Sequence, residues 1–354
     1  MNAPEDFGLP PAQTLAHVAD RTPALGHSPY WMQWAEALSD LEPAFTESSR
    51  SIKKSEDPGA PGVTHTFESL RSTRIGCRII EPASETRGVI ITTHGYETPA
   101  ELTDDHPWPD HDLAVIKLRV RGYPGSQLDT GPLTQHPGGW ITHGLERADT
   151  WILPLAVADL VNAFRAARTR YGEETPISIH GESFGGGLAV LAAAQLAGRE
   201  FVHRMSIALP TLGDWTWRVR NFLPRAVGIN ADIAAFLHTH ASIENEILHT
   251  LRISDAAIHA PRVVCPVLCK LALRDEVVPA PTAASVFNAL GTSPTMKWRY
   301  ITRFGHFDGG IADLRRHGHF DRLSASFLDP AEDLIPLMRS WADRLSADAP
   351  APTA

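Results

Sequence analysis

The chain has 354 residues, 43% hydrophobic and 21% charged, which is the composition of an ordinary soluble globular protein. Its formal net charge of −9 argues against nucleic acid as a partner. No apolar run approaches the roughly 18 residues of a membrane span. The first residues lack the profile of a signal peptide, and three cysteines are too few for a disulfide framework. We therefore predict a cytoplasmic protein without membrane attachment.

The amino-acid composition divides the chain into three segments. Residues 1–65 are rich in proline, serine and charge, and form an amino-terminal extension with one amphipathic helical patch at 30–38. Residues 66–346 form the main domain, and we predict that the Ala/Pro-rich residues 347–354 are a disordered tail.

Strands and helices alternate along the main domain. Short, β-branched segments that are apolar on both faces indicate strands of a parallel sheet. Predicted strands are residues 89–93, 113–118, 177–179, 205–209, 267–273 and 297–301, and predicted helices are 152–170 and 188–196. This alternation predicts an α/β fold whose mostly parallel, doubly wound sheet has helices on both faces. Residues from about 211 to 262 interrupt it with a helical segment, which we interpret as a cap over the sheet's carboxyl edge.

The segment Gly181-Glu182-Ser183-Phe184-Gly185 lies between a predicted strand and a predicted helix. Gly-x-Ser-x-Gly in that context indicates a nucleophile elbow, a sharp turn that exposes the serine at the top of the sheet. The small glycines relieve crowding in the turn. We therefore predict Ser183 as a catalytic nucleophile.

A serine nucleophile needs a base and an acid, which follow it in chain order in this type of fold. Asp275 comes after the strand 267–273, with Glu276 next to it as the alternative acid. His306 comes after the strand 297–301 and is preceded by a glycine, and His317 and His319 are competing candidates. We predict the triad Ser183, Asp275 and His306.

Acyl transfer also needs donors for the developing oxyanion. The turn His94-Gly95-Tyr96 follows the strand 89–93, where such folds supply one backbone N–H. The residue after the nucleophile supplies the other. We predict the N–H groups of Tyr96 and Phe184 as the oxyanion hole.

Seventeen histidines raise the question of a metal. The His pairs lack zincin spacing and no Cys-x-x-Cys accompanies them, so we predict no metal. No phosphate-binding glycine loop follows a strand, so we predict no cofactor.

Beyond the elbow, a further set of segments carries a family likeness: residues 30–38, 120–126, 139–150, 209–214 and 250–289. Together they resemble the acetyl xylan esterases and cephalosporin C deacetylases, carbohydrate esterase family seven. The resemblance covers most of residues 30–345. It implies an α/β-hydrolase fold, the triad named above, deacetylation of small acetylated substrates, and a homo-oligomer.

Three signature positions depart from the family. Tyr123, Phe184 and Phe307 stand where the family has Gln, Gln and Glu. We place Arg121, Tyr123 and Phe307 in the substrate pocket, and hypothesise that the aromatic changes make it more apolar and favour apolar or aromatic substrates over xylo-oligosaccharides.

The sequence thus predicts a serine esterase that removes acetyl groups from a small-molecule ester substrate: a sugar acetate, a cephalosporin-type acetate, or a simple alkyl or aryl acetate. Two alternatives stay open. One is another acyl hydrolase of the same fold, such as a peptidase, because fold does not fix function. The other is a non-catalytic binding protein.

Overall fold

The structure is a computed structural model. It describes residues 9–48, 62–96, 102–108, 112–128, 139–222, 226–303, 305–306 and 310–347, without the side chains of 310–318 and 342–347. Within these ranges, no helix combines the length and the apolar character that crossing a membrane requires.

One sheet of nine strands forms the centre of the described chain. The strands are β1 (Thr46–Glu47), β2 (His65–Ser69), β3 (Thr73–Ile80), β4 (Gly88–Thr92), β5 (Leu113–Leu118), β6 (Ile177–Glu182), β7 (Met205–Ala208), β8 (Val267–Ala272) and β9 (Lys297–Thr302). Their order is β1-β2-β3-β5-β4-β6-β7-β8-β9. The pairs from β5 through β4 to β9 are parallel, and those joining β1, β2, β3 and β5 are antiparallel.

The predicted α/β sheet is confirmed, and all six predicted strands are present. The antiparallel strands β1, β2 and β3 were not predicted. β1 lies inside the segment that we interpreted as an amino-terminal extension, and it pairs Thr46 with Thr66 of β2. That segment therefore contributes to the sheet as well as carrying helices.

The helices are α1 (Pro11–Ala16), α2 (His27–Ser39), α3 (Ile152–Tyr171), α4 (Phe184–Leu196), α5 (Trp215–Asn221), α6 (Ile229–Thr239), α7 (Glu244–Ile253), α8 (Ala256–His259), α9 (Ala280–Ala289), α10 (Gly310–Leu328) and α11 (Leu334–Ala347). They cover both faces of the sheet. Because successive side chains of a strand point to opposite faces, Cys269 of β8 joins the core with α3, α4 and α9, while its neighbour Leu268 joins a second core with α10 and α11.

Helix α4 begins directly after Ser183, earlier than the predicted start at residue 188. Its first turn contains three glycines, which have low helix propensity. Every residue of α4 is buried, and α4 packs against α3, β6 and α8. This packing outweighs the propensity of the glycines.

The segment between β7 and β8 is helical, as predicted, and contains α5 to α8. Its helix α6 packs against the 3-10 helix Trp140–Thr142, and Asp232 of α6 reaches the turn that follows β4. Since that turn lies at the carboxyl end of a parallel strand, the segment covers the sheet edge where the predicted site residues lie.

Candidate active site

Ser183 occupies a strained turn between β6 and α4. Its φ of 55° and ψ of −116° lie in a region that residues other than glycine rarely adopt. Three backbone hydrogen bonds hold it there: its N–H donates to the Ala208 carbonyl at 2.8 Å, and its own carbonyl accepts from the N–H groups of Gly187 at 3.1 Å and Thr211 at 3.2 Å. The side chain stays half-buried. This is the geometry of a nucleophile elbow.

Two of the glycines around Ser183 are required because a side chain at their positions would not fit. A Cβ at residue 181 would lie 2.3 Å from the carbonyl oxygen of Gly185, and one at residue 187 would lie 2.2 Å from that of Thr211. Both obstacles are backbone atoms and cannot rotate away. The sharp turn therefore depends on these positions having no side chain.

Asp275 and His306 form a buried pair. The Nδ1 atom of His306 lies 2.9 Å from Oδ2 and 3.0 Å from Oδ1 of Asp275. The side chain of His306 is 7% exposed and that of Asp275 is 1% exposed. Asp275 Oδ1 also accepts the N–H groups of Val277 at 2.9 Å and Val278 at 2.7 Å. These bonds fix the carboxylate, so it can orient the imidazole and leave Nε2 as the atom that exchanges protons.

Glu276, the alternative acid, has a different contact. Its Oε2 accepts the backbone N–H of His306 at 3.0 Å. A Cβ at residue 305 would lie 2.3 Å from the same oxygen, so Gly305 leaves the room that this carboxylate occupies. Glu276 thus holds the loop that carries His306, whereas Asp275 contacts the ring.

Opposing effects act on the pKa of His306. Burial lowers it, but the hydrogen bond and charge of Asp275, with the charges of Glu182 and Glu276, raise it by more, so the net direction is upward. Glu182 is held by Lys270, whose Nζ lies 3.2 Å from its Oε1. No sequence pattern indicates this contribution of Glu182, because it depends on strand pairing across the sheet.

The two predicted oxyanion donors lie on adjacent turns. Phe184 is the first residue of α4, where a backbone N–H has no partner four residues earlier in the helix. Tyr96 follows β4, and its ring centroid lies 6.0 Å from that of Phe184. The turn and the helix approach so closely that a Cβ at residue 185 would be 3.0 Å from the His94 carbonyl oxygen.

The structure corrects the prediction that Arg121 lines the substrate pocket. Its side chain is fully buried, and Nη2 lies 2.6 Å from Oδ1 of Asp159, itself fully buried. Its backbone N–H also donates to Asp159, at 2.9 Å. A side chain that is sealed from solvent in an ion pair does not line a substrate pocket. Arg121 instead joins the β5 end of the sheet to α3.

Tyr123 and Phe184 are 8% and 0% exposed, respectively. They pack with the rings of His94, Tyr96 and Trp140; the centroid distances are 4.1 Å from Tyr123 to His94 and 5.1 Å from Phe184 to Trp140. Tyr123 therefore belongs to a buried aromatic cluster next to the turn that carries Tyr96, the predicted oxyanion donor. The hypothesis of a more apolar pocket needed these side chains to be exposed, so they do not support it. Phe307 lies outside the described residues.

The competing histidines are less well placed. His319 lies in α10, whereas His306 contacts the fixed carboxylate of Asp275; the side chain of His317 is outside the described part. In the described ranges, no three His, Cys, Asp or Glu side chains are grouped so that they could hold a metal ion.

Comparisons with known proteins agree on the class of this chain. The profile of the acetyl xylan esterase (AXE1) family matches residues 28–311, well over half of the chain. Acetyl xylan esterase 1 from Thermoanaerobacterium sp. JW/SL YS485 superposes with a TM-score of 0.71 at 20% identity over 89% of this chain and 99% of that protein. An acetyl xylan esterase from Paenibacillus sp. R4 gives 0.70 at 20% identity, over 88% and 99%.

An acylaminoacyl peptidase from Pyrococcus horikoshii superposes with a TM-score of 0.55 at 15% identity, over 77% of this chain and 43% of that protein. At such identities the structural likenesses establish the α/β-hydrolase fold, and the family match establishes the class. The chain belongs to the acetyl xylan esterase family and is a serine ester hydrolase that acts on acetylated substrates.

Proposed function

We propose that Ser183, His306 and Asp275 form the catalytic triad of an acetyl esterase whose substrates are small acetylated molecules. The observation that carries the proposal is the buried contact between His306 Nδ1 and Asp275, at 2.9 Å, in a chain whose Ser183 has the backbone strain of a nucleophile elbow. Both features serve acyl transfer and neither is needed for a binding protein.

In the first step, Ser183 Oγ attacks the acetyl carbonyl while His306 Nε2 accepts its proton. Asp275 keeps the ring in the tautomer with its proton on Nδ1, and it stabilises the imidazolium that forms. The negative charge on the carbonyl oxygen is met by the N–H groups of Tyr96 and Phe184, together with the positive end of the α4 dipole.

In the second step, the imidazolium gives its proton to the leaving alcohol. Water then attacks the acetyl-enzyme with His306 again as base, and acetate leaves as Ser183 regains its proton. Because the acetyl carbonyl oxygen carries the negative charge in both tetrahedral intermediates, both use the N–H groups of Tyr96 and Phe184.

The substrate class proposed is acetyl esters of sugars, with cephalosporin-type and simple alkyl or aryl acetates as further members. Two of the solved structures above are acetyl xylan esterases by name, which supports acetylated xylose units among the substrates. With Tyr123 and Phe184 buried, a shift toward aromatic substrates loses its main support.

The test is an ester panel that varies acyl length and alcohol, with labelling of the serine by a fluorophosphonate. We expect labelling of the wild type, none in Ser183→Ala, and higher kcat/KM for acetates than for longer acyl groups. A wild-type enzyme that is labelled but prefers long acyl chains or acylated peptides would overturn the acetyl assignment. An unlabelled wild type would overturn the triad.

The homo-oligomer and cytoplasmic location implied above are part of the proposal. Light scattering after size-exclusion chromatography tests the oligomer, and a mass near the 38.7 kDa of one chain would contradict it. Cell fractionation tests the location.

A further inference from the structure

Tyr96, the proposed oxyanion donor, is fixed through its own side chain. Its hydroxyl donates to Oδ2 of Asp232 at 2.6 Å and accepts the backbone N–H of Ile141 at 3.0 Å. Its carbonyl accepts the hydroxyl of Tyr123 at 2.5 Å. Three separate parts of the chain thus hold one residue whose only proposed catalytic group is its backbone N–H.

The Asp232 carboxylate comes from α6 in the helical segment above the sheet, and it is fitted closely into this position. A Cβ at residue 139 would lie 2.2 Å from Oδ2 of Asp232, so Gly139 provides the space for the carboxylate. Gly139 has a φ of 78° and precedes the 3-10 helix that supplies the Ile141 N–H. The carboxylate, this helix and the Tyr96 hydroxyl therefore converge at one point.

His94 holds the other side of the same turn. Its Nδ1–H donates to the carbonyl of Gly95 at 2.8 Å, and that carbonyl belongs to the peptide unit whose N–H is that of Tyr96. Its Nε2 faces the N–H of Val120 at 3.4 Å, which suits a neutral imidazole. Burial lowers the pKa of His94 to about 4, in keeping with that state. His94 therefore holds this residue on its amino side through the Gly95 carbonyl, and the contacts of the Tyr96 hydroxyl hold it from its side chain.

We propose that Asp232 is a positioning residue for the esterase reaction: through the Tyr96 hydroxyl it sets the orientation of the Tyr96 N–H toward the oxyanion. The proposal rests on the function proposed above. It predicts that the cap segment contributes to the rate of acyl transfer as well as covering the site, because a donor misplaced by a fraction of an ångström stabilises the transition state less.

The experiment compares Asp232→Ala, Asp232→Asn, Tyr96→Phe and the double variant Asp232→Ala/Tyr96→Phe. The control Glu246→Gln removes an exposed carboxylate elsewhere in the same segment. For each variant kcat and KM are measured with an aryl acetate, folding is checked by circular dichroism, and active serine is counted by fluorophosphonate labelling.

We expect Asp232→Ala and Tyr96→Phe each to lower kcat about 10- to 100-fold with KM within about threefold of wild type. Asp232→Asn keeps an oxygen acceptor without the charge, so its kcat should fall in between. Since both groups act through one hydrogen bond, the double variant should be no more than about threefold slower than Tyr96→Phe. Glu246→Gln should match the wild type.

Fully additive losses of kcat in the double variant would overturn the positioning role, and so would a wild-type kcat in both Asp232→Asn and Tyr96→Phe. In either case, labelling of the wild-type serine would leave the proposed function intact. Absence of labelling and turnover in the wild type would instead overturn the proposed function. If Asp232→Ala does not fold, Asp232→Asn and the near-isosteric Tyr96→Phe decide the question alone.

Discussion

We predict that His259, which is only 1% exposed, makes folding sensitive to acid. Its Nδ1 faces the side-chain amide of Gln195 at 3.0 Å, and its Nε2 faces the Ile253 carbonyl at 3.0 Å. One neutral tautomer satisfies both: Nε2–H donates to the carbonyl and Nδ1 accepts from the amide. A second proton on Nδ1 would oppose the amide N–H, so protonation of the folded state is disfavoured.

The size of the effect follows from the pKa of this imidazole in the two states. Burial lowers the pKa of His259 from 6.5 to about 3 in the fold. Below about pH 6.5 the unfolded chain therefore binds a proton that the folded chain does not, and stability falls as pH decreases. Between about pH 7.5 and pH 5 this single group removes about 2 kcal/mol of the free energy of unfolding. A typical domain has only about 5–15 kcal/mol in total.

The assay is urea unfolding at both pH values, followed by circular dichroism, for the wild type, His259→Gln and the exposed control His238→Gln. The relevant quantity is the change in unfolding free energy between the two pH values. This change should be about 2 kcal/mol smaller in His259→Gln than in the wild type, and the same as wild type in His238→Gln. An equal change in all three proteins would refute the reasoning.

Other predictions concern the site and its frame. Because its neighbours raise the pKa of His306 and the base must be unprotonated, kcat/KM should decline with acid through an apparent pKa above 6.5; a pH–rate profile with a lower midpoint would contradict this. Steady-state kinetics should show a loss of about 10⁴-fold in kcat for Asp275→Asn and a much smaller one for Glu276→Gln, which keeps an acceptor for the His306 N–H; equal losses would reverse their roles. Gly187→Ala should lower stability in urea by at least about 2 kcal/mol, since its methyl group meets the Thr211 carbonyl, and an unchanged midpoint would argue against that contact.

Much of the fold could be predicted because most of its parallel strands are buried on both faces. Segments such as β5, with five of its six residues buried, are apolar throughout and stand out in the sequence. β2 does not, because it alternates buried and exposed positions and includes His65 and Glu68. It also follows a stretch rich in charge, proline and glycine. Its pairing with β3 is a contact between strands, which a local sequence pattern does not reveal.

The candidate site divides in the same way. Ser183, Asp275 and His306 could be proposed from the sequence because each follows a recognisable strand, and chain order restricts their roles. Glu276 and Asp275 are adjacent, so only the contacts in the fold distinguish their roles. Asp232 belongs to no motif, and its place beside Tyr96 depends on how the cap helix packs. Contacts between distant segments are the part that local sequence patterns leave undetermined.

The fold also changes the interpretation of Tyr123 and Phe184, two positions at which this sequence departs from the family. Tyr123 and Phe184 belong to one buried cluster, with ring centroids 6.4 Å apart, so both of these departures affect packing in the same place. A lone Phe184→Gln would place an amide among aromatic rings, and an amide without partners costs about 1–3 kcal/mol. Such a change would act on the frame of the proposed oxyanion hole, and through it on rate. Because Tyr123 and Phe184 are buried, we expect preference among acetylated substrates to depend on other side chains around Ser183.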